Sequence, residues 1–128
     1  MDKIKINVFN IVGYSDCTLP EDGDKIYNIL EKALSKDKKV VISFKNVNKL
    51  TSAFLNNAIG KLYGKFDEEK IKESLSLEDI SNSGKILLKR VISTAKLYFK
   101  NPEKMRESIK EILGENNFIL LTNDRNLK

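Results

Sequence analysis

The stretch 40–63, VVISFKNVNKLTSAFLNNAIGKLY, constrains the fold more than any other part of the chain. Val40, Val41, Ile42 and Phe44 form a short, β-branched run bounded by lysines and turn formers. An apolar run without polar alternation predicts a strand covered on both faces, as a central strand of an α/β sheet is. Asn46 and Asn48 are turn formers. Thr51 and Ser52 then precede Phe54, Leu55, Ala58, Ile59 and Leu62, whose spacing predicts a helix over 51–63. A hydroxyl at such a helix start has two jobs open to it. It caps the helix by accepting a bond from an unpaired backbone N–H, or it carries a phosphate, because a helix N-terminus favours anions.

The rest of the chain repeats the strand–helix alternation. Ile4, Ile6 and Val8 alternate and predict an N-terminal strand with one face inward. Residues 13–23 read as a loop. Within it Thr18-Leu19-Pro20-Glu21 matches a capping box with Pro in the first turn, and Asp22 is an alternative cap. Gly23, just inside, weakens that helix start. Ile26, Ile29, Leu30 and Ala33 line one helix face. After the 51–63 helix, Gly64 to Asp67 reads as a termination, and Leu75 and Leu77 predict a short strand over 74–77. Ser81 to Gly84 is a turn with cap candidates. Leu87, Leu88, Val91, Ile92, Ala95, Tyr98 and Phe99 share a face of the next helix, which Asn101-Pro102 ends. Met105, Ile109, Ile112 and Leu113 mark a shorter helix closed by Gly114, and 118–121 is a final apolar strand. The alternation points to α/β, bordering on α+β, in a single domain over 1–128.

Composition excludes more than it includes. With 41% apolar and 32% charged residues the chain is globular rather than disordered. No apolar run approaches the ~20 residues needed to span a bilayer, so no membrane partner is expected. The N-terminus, MDKIKINVFN, lacks the apolar core of a secretory signal, and a cytoplasmic protein is expected. The chain has no histidine. That removes the commonest general base and transition-metal ligand, and with them a Ser-His-Asp hydrolase or a His-based zinc site. Asp16, Glu21, Asp22 and Asp24 do not follow EF-hand spacing and read as a solvated cluster. Oxygen-ligand sites for magnesium or calcium stay open, but no metal is assigned. Neither a Walker-type glycine loop nor a dinucleotide fingerprint is present, and no cofactor or catalytic residue is assigned. Cys17 has no partner for an internal disulfide and no histidine to activate it.

The order of residues in 40–63 resembles the STAS domain, the fold of anti-sigma factor antagonists. There a hydrophobic strand ends in an acidic residue, and a D-S-S-G loop opens a helix whose serine is phosphorylated by the partner kinase. Here Ile42-Ser43-Phe44 is the strand end, Val47 the loop anchor, and Thr51-Ser52-Ala53-Phe54 the helix start. The closer similarity is to a STAS-like family of unassigned function, through Ala53-Phe54-Leu55 and the segment Leu88-Lys89-Arg90-Val91-Ile92. It extends from the first strand to the helix ending near Phe99. The resemblance implies helices packed on a small mixed sheet, with the Val40 strand central. It further implies a functional loop over 46–52, with Asn46, Asn48 and Lys49 as its surface and Thr51 or Ser52 as phosphate acceptor. Three departures bear on the switch. Ser43 stands where STAS domains often have Asp, Ala53 falls at the modified serine when the pattern is laid on without gaps, and Phe54 replaces the glycine. A shift of one residue makes Ser52 the acceptor.

A second surface comes from charge. The net charge is +5, and Lys85, Lys89, Lys96 and Lys100 recur at helical spacing. Such a stripe holds phosphates or is a solvated face. Arginine, the better base reader, is scarce, so sequence-specific recognition is not expected. The expectation is a non-enzymatic regulatory module that binds another protein; the STAS resemblance implies that the partner is an anti-sigma-like kinase or ATPase. The alternative is a nucleic-acid-associated protein using the lysine stripe.

Overall fold

The computed structural model describes residues 3–100. The chain divides into two compact units, Met1–Lys96 and Leu97–Lys128. Of the second, the described part is the end of a helix, where the Tyr98 and Phe99 rings meet edge to face at 5.0 Å. The helix expected around Met105–Leu113, the strand at 118–121 and the Asn101-Pro102 stop lie outside the described residues.

Strand β1 (Lys3–Asn7) runs straight into a five-residue helix, α1 (Val8–Val12). The switch occurs at Asn7, whose side chain accepts from the Asn10 N–H at 3.0 Å. Gly13, at φ +97, ends α1 in the left-handed conformation that glycine adopts without steric cost. There follow β2 (Asp16–Cys17), α2 (Pro20–Ser35), β3 (Lys39–Ser43), β4 (Lys49–Leu50), α3 (Ser52–Ala58), a 3-10 turn (Gly60–Gly64), α4 (Glu68–Ser74), β5 (Leu75–Glu78) and α5 (Asn82–Lys100).

The main sheet has the order β1-β3-β5. Both pairings are parallel, with Ile42 opposite Ile6 on one side and Leu77 on the other. The Val40 run is therefore the central strand, as its composition predicts, and Val40, Val41, Ile42 and Ser43 are all buried. The predicted strand at 74–77 is β5, displaced by one residue. Beside the main sheet, β2 and β4 form a two-residue parallel pair.

The core joins Val40 and Ile42 to Ile26, Leu30 and Leu34 of α2, and to Phe54, Leu55 and Ala58 of α3. Phe54 is fully buried, a placement worth about 1.5–3 kcal/mol in apolar transfer alone. The α2–α3 crossing is unusually close. A Cβ at Gly23 would stand 2.4 Å from the Phe54 carbonyl oxygen and 3.1 Å from the Ala58 nitrogen. On α5, Leu88, Val91 and Ala95 of the predicted face are buried, whereas Phe99 on the same face is exposed.

Two local expectations are corrected. The 18–21 capping box does not form: Leu19 is the N-cap of α2, without a side-chain bond, and Pro20 opens the helix. The alternative cap, Asp22, is instead buried in the first turn, bonded to the Tyr14 hydroxyl at 3.3 Å and paired with Lys25 at 3.2 Å. The helix predicted over 51–63 stops at Ala58 and tightens into the 3-10 turn. Gly60 opens that turn, packed against the Asn56 and Val91 side chains. Two glycines, Gly60 and Gly64, weaken the α-helix there and permit the tighter winding.

Candidate functional site

The loop that leaves the central strand is shaped by its own turn residues. Val47 N–H bonds back to the Phe44 carbonyl at 3.0 Å, with Asn46 at φ +69, a conformation asparagine tolerates better than most residues. Asn48 N–H then bonds to the Ser15 carbonyl at 2.8 Å. Lys49 and Leu50 pair with Asp16 and Cys17 as the β2–β4 ladder. The loop is thereby stitched to residues 13–19, a partner that no local pattern announces.

Thr51 completes the seam. Its Oγ1 donates to the Thr18 carbonyl at 2.7 Å and accepts from the Phe54 N–H at 3.2 Å, so it caps α3 and clamps the neighbouring loop at once. The Thr18 carbonyl is thereby part of the seam. Removing the hydroxyl should cost more than an ordinary cap. Thr51→Ala is expected to lose about 1–2 kcal/mol, the upper part of the capping range, and Thr51→Ser to keep most of it. Chemical denaturation of the two variants beside the parent checks this. Equal midpoints for Thr51→Ala and the parent would show that the hydroxyl does not bear on stability.

The two candidate hydroxyls are thus not equivalent. Thr51 is half-buried with both bonding roles occupied, whereas Ser52 is exposed on the first turn of α3. Asn46, Asn48, Lys49 and Ala53 are exposed beside it in sequence. The loop clamped to this rim also carries two exposed large side chains, Tyr14 and Leu19.

Cys17 is fully buried under the seam. Burial, with smaller contributions from Asp22 and Asp16, pushes its thiol up to about 11. At neutral pH it is protonated and packs as a small apolar side chain rather than reacting as a thiolate.

At the strand end the structure brings together two residues that the sequence separates. Ser43, buried, donates its hydroxyl to Asp79 Oδ2 at 3.4 Å and accepts from the Lys45 N–H at 3.3 Å. Asp79 follows β5 in the left-handed region, at φ +58. An acidic group therefore stands at the carboxyl end of the central strand after all, supplied by the neighbouring strand. Asp79 stands just ahead of the Ser81–Gly84 turn, where Ser81 accepts from the Gly84 N–H at 3.0 Å and caps α5. Between these parts lies a pocket of about 110 Å³. Phe44, Val47, Leu50, Ile80 and Leu87 give it apolar walls, and Asn48, Asp79, Ser81 and Ser83 give it polar edges.

The lysine stripe is less uniform than its spacing. Lys85, Lys89 and Lys100 are exposed, but Lys96 is half-buried and paired with Glu68 at 2.7 Å. Among the described residues no group of three or more acidic or cysteine side chains is placed to hold a metal. No helix among them is long and apolar enough to cross a membrane.

A parallel sheet clad in helices, with a capped helix opening just past the end of its central strand, defines an α/β domain of STAS-like type. The chain belongs to the family described as a STAS-like domain of unknown function, whose family model matches residues 22–85, half of its length. That match contains the central strand, the 46–52 loop, α3 and the pocket's polar edge. Searches among curated proteins and among solved structures find no match.

Proposed function

We propose that this domain is a non-enzymatic regulatory module that docks another protein, of the anti-sigma-like kinase or ATP-binding kind, through the 46–52 loop and the first turn of α3. The observation that carries the reading is the division of labour at the helix start. Thr51 is spent on holding the loop in place, and Ser52 beside it is held out to solvent on a fixed backbone. A pre-set loop binds without losing conformational entropy to ordering, which favours a partner of modest contact area. Docking takes place on the unmodified surface. A phosphate on Ser52 would place about −1.5 to −2 charges in the middle of it and act as a release signal.

The test uses the full chain as bait in extracts of its native cells, with the retained partner then re-bound in purified form. Ser52→Ala is expected to bind as the parent does. Ser52→Asp is expected to bind at least about tenfold more weakly, the effect of some 1.4 kcal/mol of lost contact energy. Equal binding by Ser52→Asp would place the docking surface elsewhere. The polyanion alternative has a separate signature, a steep loss of DNA or RNA binding between low and moderate salt.

A further inference from the structure

The pocket beside the docking loop has a size and a sign that together select a ligand. Its volume, about 110 Å³, is far above the ~10–15 Å³ that admits one water and below the ~300–1,000 Å³ of pockets that hold nucleotides or drug-sized molecules. It suits a single side chain. Its lining holds one ionisable group, Asp79, and no lysine or arginine, in a chain where basic residues outnumber acidic ones. Asp79 enters no ion pair among the described residues. Its neighbour Glu78 is already matched by Lys5 at 3.0 Å, and the Lys5 ammonium is held above its ordinary value mainly by the hydrogen bond to that glutamate. Lys5 acts on Asp79 only through space, more weakly than on Glu78, so the carboxylate without a cation in direct contact at the pocket is that of Asp79.

An anionic ligand is the competing reading, because α5 begins at the same edge. Magnitudes decide against it. A helix N-terminus presents about half a positive charge, and here the Gly84 N–H is already taken by Ser81. A full carboxylate at the rim outweighs it. A divalent metal is disfavoured as well, since one carboxylate falls short of the oxygen set such ions require.

We propose that this pocket receives the alkylammonium end of a lysine side chain presented by the docked partner. The aliphatic stem lies along Val47, Leu50 and Leu87, and the ammonium donates to the Asp79 carboxylate and the Ser81 and Ser83 hydroxyls. This rests on the reading of the 46–52 loop as a docking surface, since Val47, Asn48 and Leu50 belong to both.

The experiment is a titration of the isotope-labelled full chain, followed by amide NMR shifts. The probes are n-butylammonium, its anionic isostere butyrate and its neutral isostere n-butanol. Butylammonium is expected to move the Asn48, Ser81, Ser83 and Leu87 amides, saturating in the millimolar range, as a ligand of five heavy atoms should. Butyrate is expected to leave them unmoved. Asp79→Asn keeps a residue that accepts the left-handed backbone, and it should weaken butylammonium at least about tenfold while the remaining spectrum is unchanged. Equal response to butyrate, unchanged affinity in Asp79→Asn, or no response to butylammonium would each overturn the proposal. Nα-acetyl-lysine-N-methylamide separates the sources. Binding at least as tight as butylammonium supports a partner's side chain, and its rejection overturns that assignment in favour of a free amine. A partner complex that survives Asp79→Asn intact sinks this inference and leaves docking itself standing, whereas insensitivity to Ser52→Asp sinks the docking.

Discussion

Ile42→Asp should abolish the cooperative fold under conditions where the parent is fully native. Ile42 is completely buried, central along β3, and flanked by Ile6 and Leu77 on the neighbouring strands. A carboxylate there loses its water and finds no cation. An uncompensated buried charge costs about 3–5 kcal/mol or more, against a total stability of some 5–15 kcal/mol for a domain of this kind. Ile42→Val is the control. It trims one methylene and should cost only about 0.5–1.5 kcal/mol. Thermal unfolding followed by circular dichroism reads both. An Ile42→Asp protein that melts with the parent would remove β3 from the centre of the sheet.

The second large effect is expected at Gly23, and here two principles give opposite signs. Gly23 lies inside α2, where helix propensity alone favours alanine by about 1 kcal/mol. The new methyl would meet the backbone of α3 at the Phe54 carbonyl and the Ala58 nitrogen. Backbone atoms have no rotamer to escape into, so the helices must part and the packing around Phe54 must open. Overpacking of this sort costs about 1–3 kcal/mol or more, and sterics should win. Gly23→Ala is expected to melt several degrees below the parent. A variant that melts above it would show that the two helices stand farther apart than described. Because Thr51 caps α3 through the Phe54 N–H, the same substitution should also loosen the Thr51–Thr18 clamp.

What was legible in the chain follows from the range of the interactions involved. The 40–44 run revealed the central strand because burial on both faces leaves a direct mark on composition. The helix start at Thr51 was legible because a cap acts over three residues. Gly23 was visible as a flaw in helix propensity but not as a requirement, since its reason sits on another helix. The Thr18–Glu21 box satisfies a local rule, yet α2 starts one residue later, with Leu19 as its N-cap. The bond from Thr51 to the Thr18 carbonyl, 33 residues away, has no local signal. The Ser43–Asp79 pairing, 36 residues apart, left no local trace. Lys96 looked like one of four equivalent lysines until its partner Glu68 came into view from α4. The resemblance of 40–63 to STAS domains drew attention to the 46–52 loop, and the covalent spacing within that loop could not tell Thr51 from Ser52. Their difference is a matter of which hydroxyl the 13–19 loop occupies.

The all-parallel pairing of β1, β3 and β5 has a kinetic consequence. Among the described residues no two adjacent strands of this sheet are joined by a hairpin, so these three strands cannot pair as a local unit. Each pairing closes a long loop before any ladder energy is returned, and such topologies fold slowly for their size. During synthesis β3 waits, with its apolar faces uncovered, until Leu75–Glu78 has emerged to flank it. The α2–α3 pair, by contrast, is complete well before that and needs no strand to meet. The helical crossing at Gly23 is therefore the natural first shelter for the nascent chain, onto which the sheet later closes.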